Sequence, residues 1–198
     1  DACQTFCHED FKIGTEPVDF MSLSGHKVRA PKGIGAVFIR RGLEISPLLF
    51  GGKQERGLRP GTTSVELICA FEVWSSETVN GLHTIRRYAI ERLQGLGSGV
   101  RINGPTESPA LCHVLSFTMA NIHSKVLHRE LTLAGISCST GAACGTGKSD
   151  SSAVLLGLGR AAEDAHQIRL SFSPTTDRET IDVFIDRLGK VLKAHATK

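Results

Sequence analysis

Two short apolar runs, VDFMSL (residues 18–23) and GAVFIR (residues 35–40), flank a loop built of glycine, proline and basic residues. Runs of this length, rich in β-branched and aromatic residues and bounded by Gly and Pro, specify sheet strands joined by a functional turn. The first run reads as a buried strand. Lys27 follows it directly, one step beyond a Ser-Gly-His turn, so its amine is held at the mouth of a sheet.

The rest of the chain alternates helix and strand. Loop residues dominate GGKQERGLRPGTT, and a helical stretch then runs from about Val65 to Leu96, with Leu67, Ile68, Phe71 and Trp74 on one face and Leu82, Ile85, Ala89 and Leu93 continuing it. A Gly/Pro/Ser-rich connector, GLGSGVRINGPTESPA, precedes the strand HVLSFTM, a helix over 123–134, the strand GISCST, a Gly/Ser loop, a short helix near Ala153 and the strand QIRLSFS. The last helix is marked by a capping box, Thr176 with Glu179, and by an apolar stripe of Ile181, Phe184, Ile185, Leu188, Val191 and Leu192.

Composition excludes several classes. With 198 residues, 40% hydrophobic and 22% charged, the chain carries enough apolar mass for a core. No apolar run approaches the ~20 residues of a membrane span. A net charge of +3 without a long basic block gives no footprint for nucleic acid. Six scattered cysteines suit a reducing compartment, cytoplasm or organellar matrix, better than a disulfide framework. The opening DACQTFCHED has neither the charged nor the apolar region of a targeting segment and reads as the interior of a longer protein.

Two centres can carry chemistry. A lysine at a strand end becomes a nucleophile toward aldehydes when its pKa is depressed, with Ser24 and His26 beside it as phosphate donors; the competing reading of Lys27 is a solvated loop residue. Asp1 and Gln4 lie upstream on what reads as a neighbouring strand end, and Arg59–Thr62 forms a turn with a hydroxyl ready for an anion. Cys144 lies in a loop with Gly145, Gly147, Lys148 and Ser149, where a nearby cation favours the thiolate; its competing reading is a small buried apolar residue. Cys138 reads as core. The run GTGKS lacks the first glycine of a phosphate-binding loop, since Ala142 stands there, and Cys3, Cys7 and His8 have no second ligand pair, so no metal site is expected.

In order and at about its spacing, DACQ, SGHK, PKGIGAVFIRR, GGKQERGLRPGT, CSTGAAC and IRLSF resemble the C-terminal half of the cysteine desulfurase and selenocysteine lyase family, aminotransferase class V enzymes that use pyridoxal 5'-phosphate. The resemblance covers essentially the whole chain. It implies that Lys27 forms the Schiff base with the cofactor, that Asp1 pairs with the pyridinium nitrogen and Gln4 with the ring hydroxyl, and that Ser24 and His26 hold the phosphate. By the same resemblance Thr62 reaches the phosphate of a second subunit's cofactor in a homodimer, Arg169 clamps the substrate carboxylate, and Cys144 takes the sulfur as a persulfide. Where the family usually carries a Gly-Arg pair, this chain has Ser173 and Pro174. Partners of the cofactor ring that the family supplies from a preceding half are not in this sequence.

The fold expected is α/β, a fragment of the fold-type I pyridoxal phosphate architecture. Residues 1–62 would end the large-domain sheet, 63–95 form a long bridging helix, and 96–198 form a small α+β domain. The function implied is conversion of L-cysteine to L-alanine, with the sulfur passed to an acceptor protein in iron–sulfur cluster assembly; the fragment alone is expected to be inactive. Selenocysteine lyase and a non-catalytic half-chain scaffold are the alternatives. No nucleic acid, membrane or metal partner is expected.

Overall fold

The computed structural model describes residues 1–9, 13–14, 17–71, 76–97, 99–107, 110–141, 152–160 and 166–196. They form two compact units, Asp1–Ser76 and Glu77–Lys198.

In the first unit the two apolar runs pair as an antiparallel ribbon, β1 (Phe20–Ser24) with β2 (Gly35–Ile39), in the register Phe20 to Ile39, Ser22 to Val37 and Ser24 to Gly35. A single 3-10 turn, Gly25–Val28, follows β1. The first run is not the buried strand its composition suggests. Only Met21 within it is buried, whereas Phe20 keeps 50% of its surface and Val37 across from Ser22 keeps 63%. The reason is the period of a strand: alternate side chains leave on opposite faces, and a two-stranded ribbon covers only one. Helix α1 (Val65–Cys69) ends with Ala70 as its C-cap, and Phe71 leaves the helical path to pack against Phe6, the rings tilted with centroids 5.7 Å apart. The expected helix from Val65 to Leu96 is therefore two helical segments, of which the second is α2 (Ser76–Gln94).

The second unit centres on an antiparallel sheet ordered β3 (Val100–Asn103), β4 (Val114–Met119), β5 (Ile168–Ser171). Strand β3 arises inside the glycine- and proline-rich connector, where only the four residues VRIN can extend; their pairing with Ser116–Met119 supplies what their composition does not. Around the sheet are α3 (Ser124–Leu133), α4 (Ala153–Gly157) and α5 (Arg178–Ala196). Leu115 and Phe117 of β4, Leu127 and Leu131 of α3, Leu93 of α2 and Leu188 of α5 are buried almost completely. Phe117 meets Phe184 edge-on at 6.3 Å.

Three expectations need correction here. GISCST is not a strand: only Ser139 bridges β5, exchanging both backbone hydrogen bonds with Arg169 at 3.1 and 2.7 Å, because β5 itself is only four residues long. The cap of α5 is Asp177, one residue beyond Thr176. Its Oδ1 accepts from the Thr180 amide at 2.8 Å and hydroxyl at 2.6 Å, which holds the carboxyl below the ordinary range. Thr176 instead accepts from the Ser173 amide at 2.9 Å. Finally, Cys138 is half-buried, not core.

The other face of the sheet is polar, and a chain of side-chain hydrogen bonds crosses it. The Asn103 amide donates to Ser116 Oγ at 3.1 Å and Thr118 Oγ1 at 3.0 Å, and Thr118 donates to the His166 carbonyl at 2.7 Å. Ser116 donates to Gln167 Oε1, whose amide nitrogen donates to Ser152 Oγ, the N-cap of α4, at 3.0 Å. Such a chain in a low-dielectric interior fixes α4 to the sheet. No described helix is long and apolar enough to cross a membrane.

Candidate active site

The site grows from the alternation along β1. Residues 20, 22 and 24 leave the ribbon on one face, so Ser22 and Ser24 share a side. At one end, Ser22 Oγ donates to Asp1 Oδ1 at 2.8 Å, and the Cys3 amide donates to the same oxygen at 3.0 Å. The Ala2 amide donates to the Ser22 carbonyl at 3.0 Å, tying the first residues to the strand. Asp1 thus presents a carboxylate with one oxygen held by two donors. Gln4 follows within the turn that the Thr5 and Phe6 amides close onto the Ala2 carbonyl.

At the other end, Ser24 Oγ and His26 Nδ1 are 2.9 Å apart. Whichever neutral tautomer the imidazole adopts, one donor stays free. If Nδ1 carries the proton, the serine hydroxyl is free to donate; if Nε2 carries it, that N–H is. Lys27 comes next in the same 3-10 turn, half-buried beside Val28, which is 1% exposed.

The turn depends on Gly25. Its amide donates to the Ile34 carbonyl at 3.1 Å and its carbonyl accepts from the Ala30 amide at 3.0 Å. A Cβ there would lie 2.6 Å from Ile34 Cγ2, and 3.1 Å from both the Ala30 Cβ and the Ile34 carbonyl oxygen. The methyl group could rotate away, but the backbone oxygen cannot. Arg29 closes the turn at φ 71°, its amide bonded to the Gly25 carbonyl. Gly25→Ala is therefore expected to lower the urea midpoint by the equivalent of about 1–3 kcal/mol, the usual cost of overpacking. An unchanged midpoint would show that the turn relaxes freely.

The remaining sequence candidates lie elsewhere. Thr62 is exposed in the loop after the 3-10 turn Gln54–Gly57, where the Gly61 amide donates to the Gln54 side chain at 3.2 Å. Arg169 belongs to the second unit, on β5 opposite Ser116, and its Nε is buried with no hydrogen-bond partner among the described residues. Cys144 lies outside the described residues. Burial pushes the Cys138 thiol up, away from thiolate chemistry. Among the described residues no cluster could hold a metal. The sequence reading missed Ser22 as a site residue, although its alternation with Ser24 was the available signal.

The oriented Asp1 carboxylate beside Ser22, and the Ser24–His26 pair with the half-buried Lys27 two strand positions further on, make up the candidate site. Residues 1–184 match the aminotransferase class-V family, and the chain belongs to it. It is 35% identical over 202 residues to a cysteine desulfurase IscS of Clostridium botulinum, covering 98% of this chain and 51% of that protein. A cysteine desulfurase IscS of Dictyoglomus turgidum is 33% identical over 201 residues, with 98% and 51% covered. A NifS-like protein of known structure superposes with a TM-score of 0.81 at 30% identity, over 98% of this chain and 52% of its own. The chain spans about half the length of the curated relatives it matches. Its mixed α/β architecture is that of a fragment of the fold-type I enzymes.

Proposed function

We propose that this chain is the C-terminal half of a pyridoxal phosphate-dependent cysteine desulfurase, which converts L-cysteine to L-alanine and delivers the sulfur to an acceptor protein. The observation that carries the reading is the spacing of its two polar anchors. Ser22, which holds Asp1, and Ser24, which pairs with His26, lie two residues apart on one face, about 6.6 Å along β1. A substituted pyridine with a basic ring nitrogen at one end and a phosphate at the other fits that donor and acceptor set. When bound, the cofactor supplies an electron sink that labilises bonds at the substrate carbons.

The chain's own residues do the rest. Lys27 offers the amine that holds the cofactor's aldehyde carbon and moves protons at the substrate. Asp1 keeps the ring nitrogen protonated, Gln4 bonds the ring hydroxyl, and Ser24 and His26 donate to the phosphate. Thr62 reaches the phosphate bound by a second copy, so that the enzyme is a homodimer, with residues 1–62 in its large domain and 96–198 in its small one. Arg169 clamps the substrate carboxylate bidentately. The Cys144 thiolate attacks the substrate sulfur: an S–S bond forms, the C–S bond breaks, and the carbon that loses sulfur takes up a proton. Cysteine and a thiol thereby become alanine and a persulfide with no outside oxidant.

The test pairs this chain with the N-terminal half that its relatives carry and saturates the complex with pyridoxal phosphate. L-Cysteine is expected to yield L-alanine and one added sulfur on Cys144 by mass spectrometry; a cofactor-loaded complex that releases no alanine overturns the reading. In the same assay Arg169→Lys is expected to raise the half-saturating cysteine concentration about ten- to hundredfold, as for loss of a charge-assisted hydrogen bond. Half-saturation unchanged by that substitution would remove Arg169 from the substrate site.

A further inference from the structure

We infer that Ser22 is a positioning residue for the cofactor's ring nitrogen, acting through the carboxylate of Asp1. The inference rests on the pyridoxal phosphate reading and deepens it. A carboxylate that must meet a cationic N–H needs a fixed direction, and an aspartate with exposed side-chain torsions does not have one on its own. Here two donors, the Ser22 hydroxyl at 2.8 Å and the Cys3 amide at 3.0 Å, converge on Oδ1 and leave Oδ2 to accept. The two donors differ in what they can transmit. The Cys3 amide lies two residues from Asp1 and moves with it, whereas Ser22 is 21 residues away on β1 and belongs to the strand that also carries Ser24. Ser22 therefore sets the direction of Asp1 in the frame of the phosphate donors. The register Ser22 to Val37 fixes that frame.

The backbone link between the two segments does not depend on the hydroxyl, because it runs from the Ala2 amide to the Ser22 carbonyl at 3.0 Å. Ser22→Ala consequently removes the positioning bond and leaves the tether. Since Ser22 is exposed, water can partly replace the lost donor, so the expected effect is a few-fold change in affinity and not a collapse.

The experiment measures binding, not turnover, in the complex of this chain with the N-terminal half. Equilibrium dialysis is run with pyridoxal phosphate and with its 1-deaza analogue, in which C–H replaces the ring nitrogen and nothing is left for Asp1 to meet. Ser22→Ala is expected to weaken pyridoxal phosphate about three- to tenfold and to leave the deaza analogue unchanged, while Ser22→Thr, which keeps the hydroxyl, restores the parent value. Equal weakening of both ligands, or of neither, overturns the inference. So does a Thr variant as impaired as the Ala variant. If instead the parent itself binds the two ligands equally, the pairing of Asp1 with the ring nitrogen fails, and if it binds neither, the pyridoxal phosphate reading fails; the inference falls with either.

Discussion

Replacing Lys27 with alanine is expected to abolish the Schiff-base absorbance band of the complex loaded with pyridoxal phosphate. That band, at longer wavelength than the free aldehyde's, requires a covalent link between a lysine nitrogen and the cofactor's aldehyde carbon. Lys27 is half-buried in the turn that also holds the Ser24–His26 pair, whereas Lys32 and Lys53 on the neighbouring loops are exposed. A second variant separates covalent chemistry from simple charge. Lys27→Arg keeps a cation near the phosphate but has no amine able to condense with an aldehyde, so it too should lack the Schiff-base band while retaining cofactor by dialysis. A Schiff-base band that survives in either variant would assign the link to another residue.

The second large effect is on sulfur transfer. Cys144→Ser is expected to leave cofactor absorbance as in the parent and to reduce alanine release from L-cysteine to below about one per cent, because a hydroxyl with a pKa far above ambient pH does not attack sulfur, whereas a cysteine thiol of pKa ~8.5 or lower supplies thiolate. Cys138 provides the internal comparison. Burial raises its thiol pKa, and its carbonyl sits 3.2 Å from His128 Nε2, a structural arrangement that ties the backbone at residue 138 to α3. Cys138→Ser should therefore transfer sulfur nearly as the parent does. If the Cys138 variant loses transfer and the Cys144 variant keeps it, the roles are exchanged.

What could be read from sequence followed the range of the interactions involved. The Ser24, His26 and Lys27 constellation is local, spanning four residues of one turn, and its chemistry is visible in SGHK. The helix over 124–133 and its ends were legible for the same reason, with His123 as the cap whose ring accepts from the Lys125 amide. The Asp1–Ser22 bond was not, since it depends on which strand the first residues lie against. Strand β3 was hidden because its four residues sit among glycines and prolines and extend only by pairing with β4. The shift of the cap from Thr176 to Asp177 shows a further limit. Adjacent residues that are both good caps leave the choice to where the helix axis must begin to bury Ile181 and Phe184.

The ribbon of β1 and β2 has consequences for anyone who handles the chain in isolation. Strand β2 is paired on one side only among the described residues, and Phe20 and Val37 stand in solvent on the face that carries the candidate site. A flat apolar strand with open amide and carbonyl groups is a template for another strand. Lone chains will recruit one another along that edge, so turbidity should rise with protein concentration and with time, independently of cysteine oxidation. A charged residue in place of Val37, which lies on the open face, is the natural gatekeeper to slow this self-association, and the yield of clear solution becomes a practical gauge of whether the edge has found its cover.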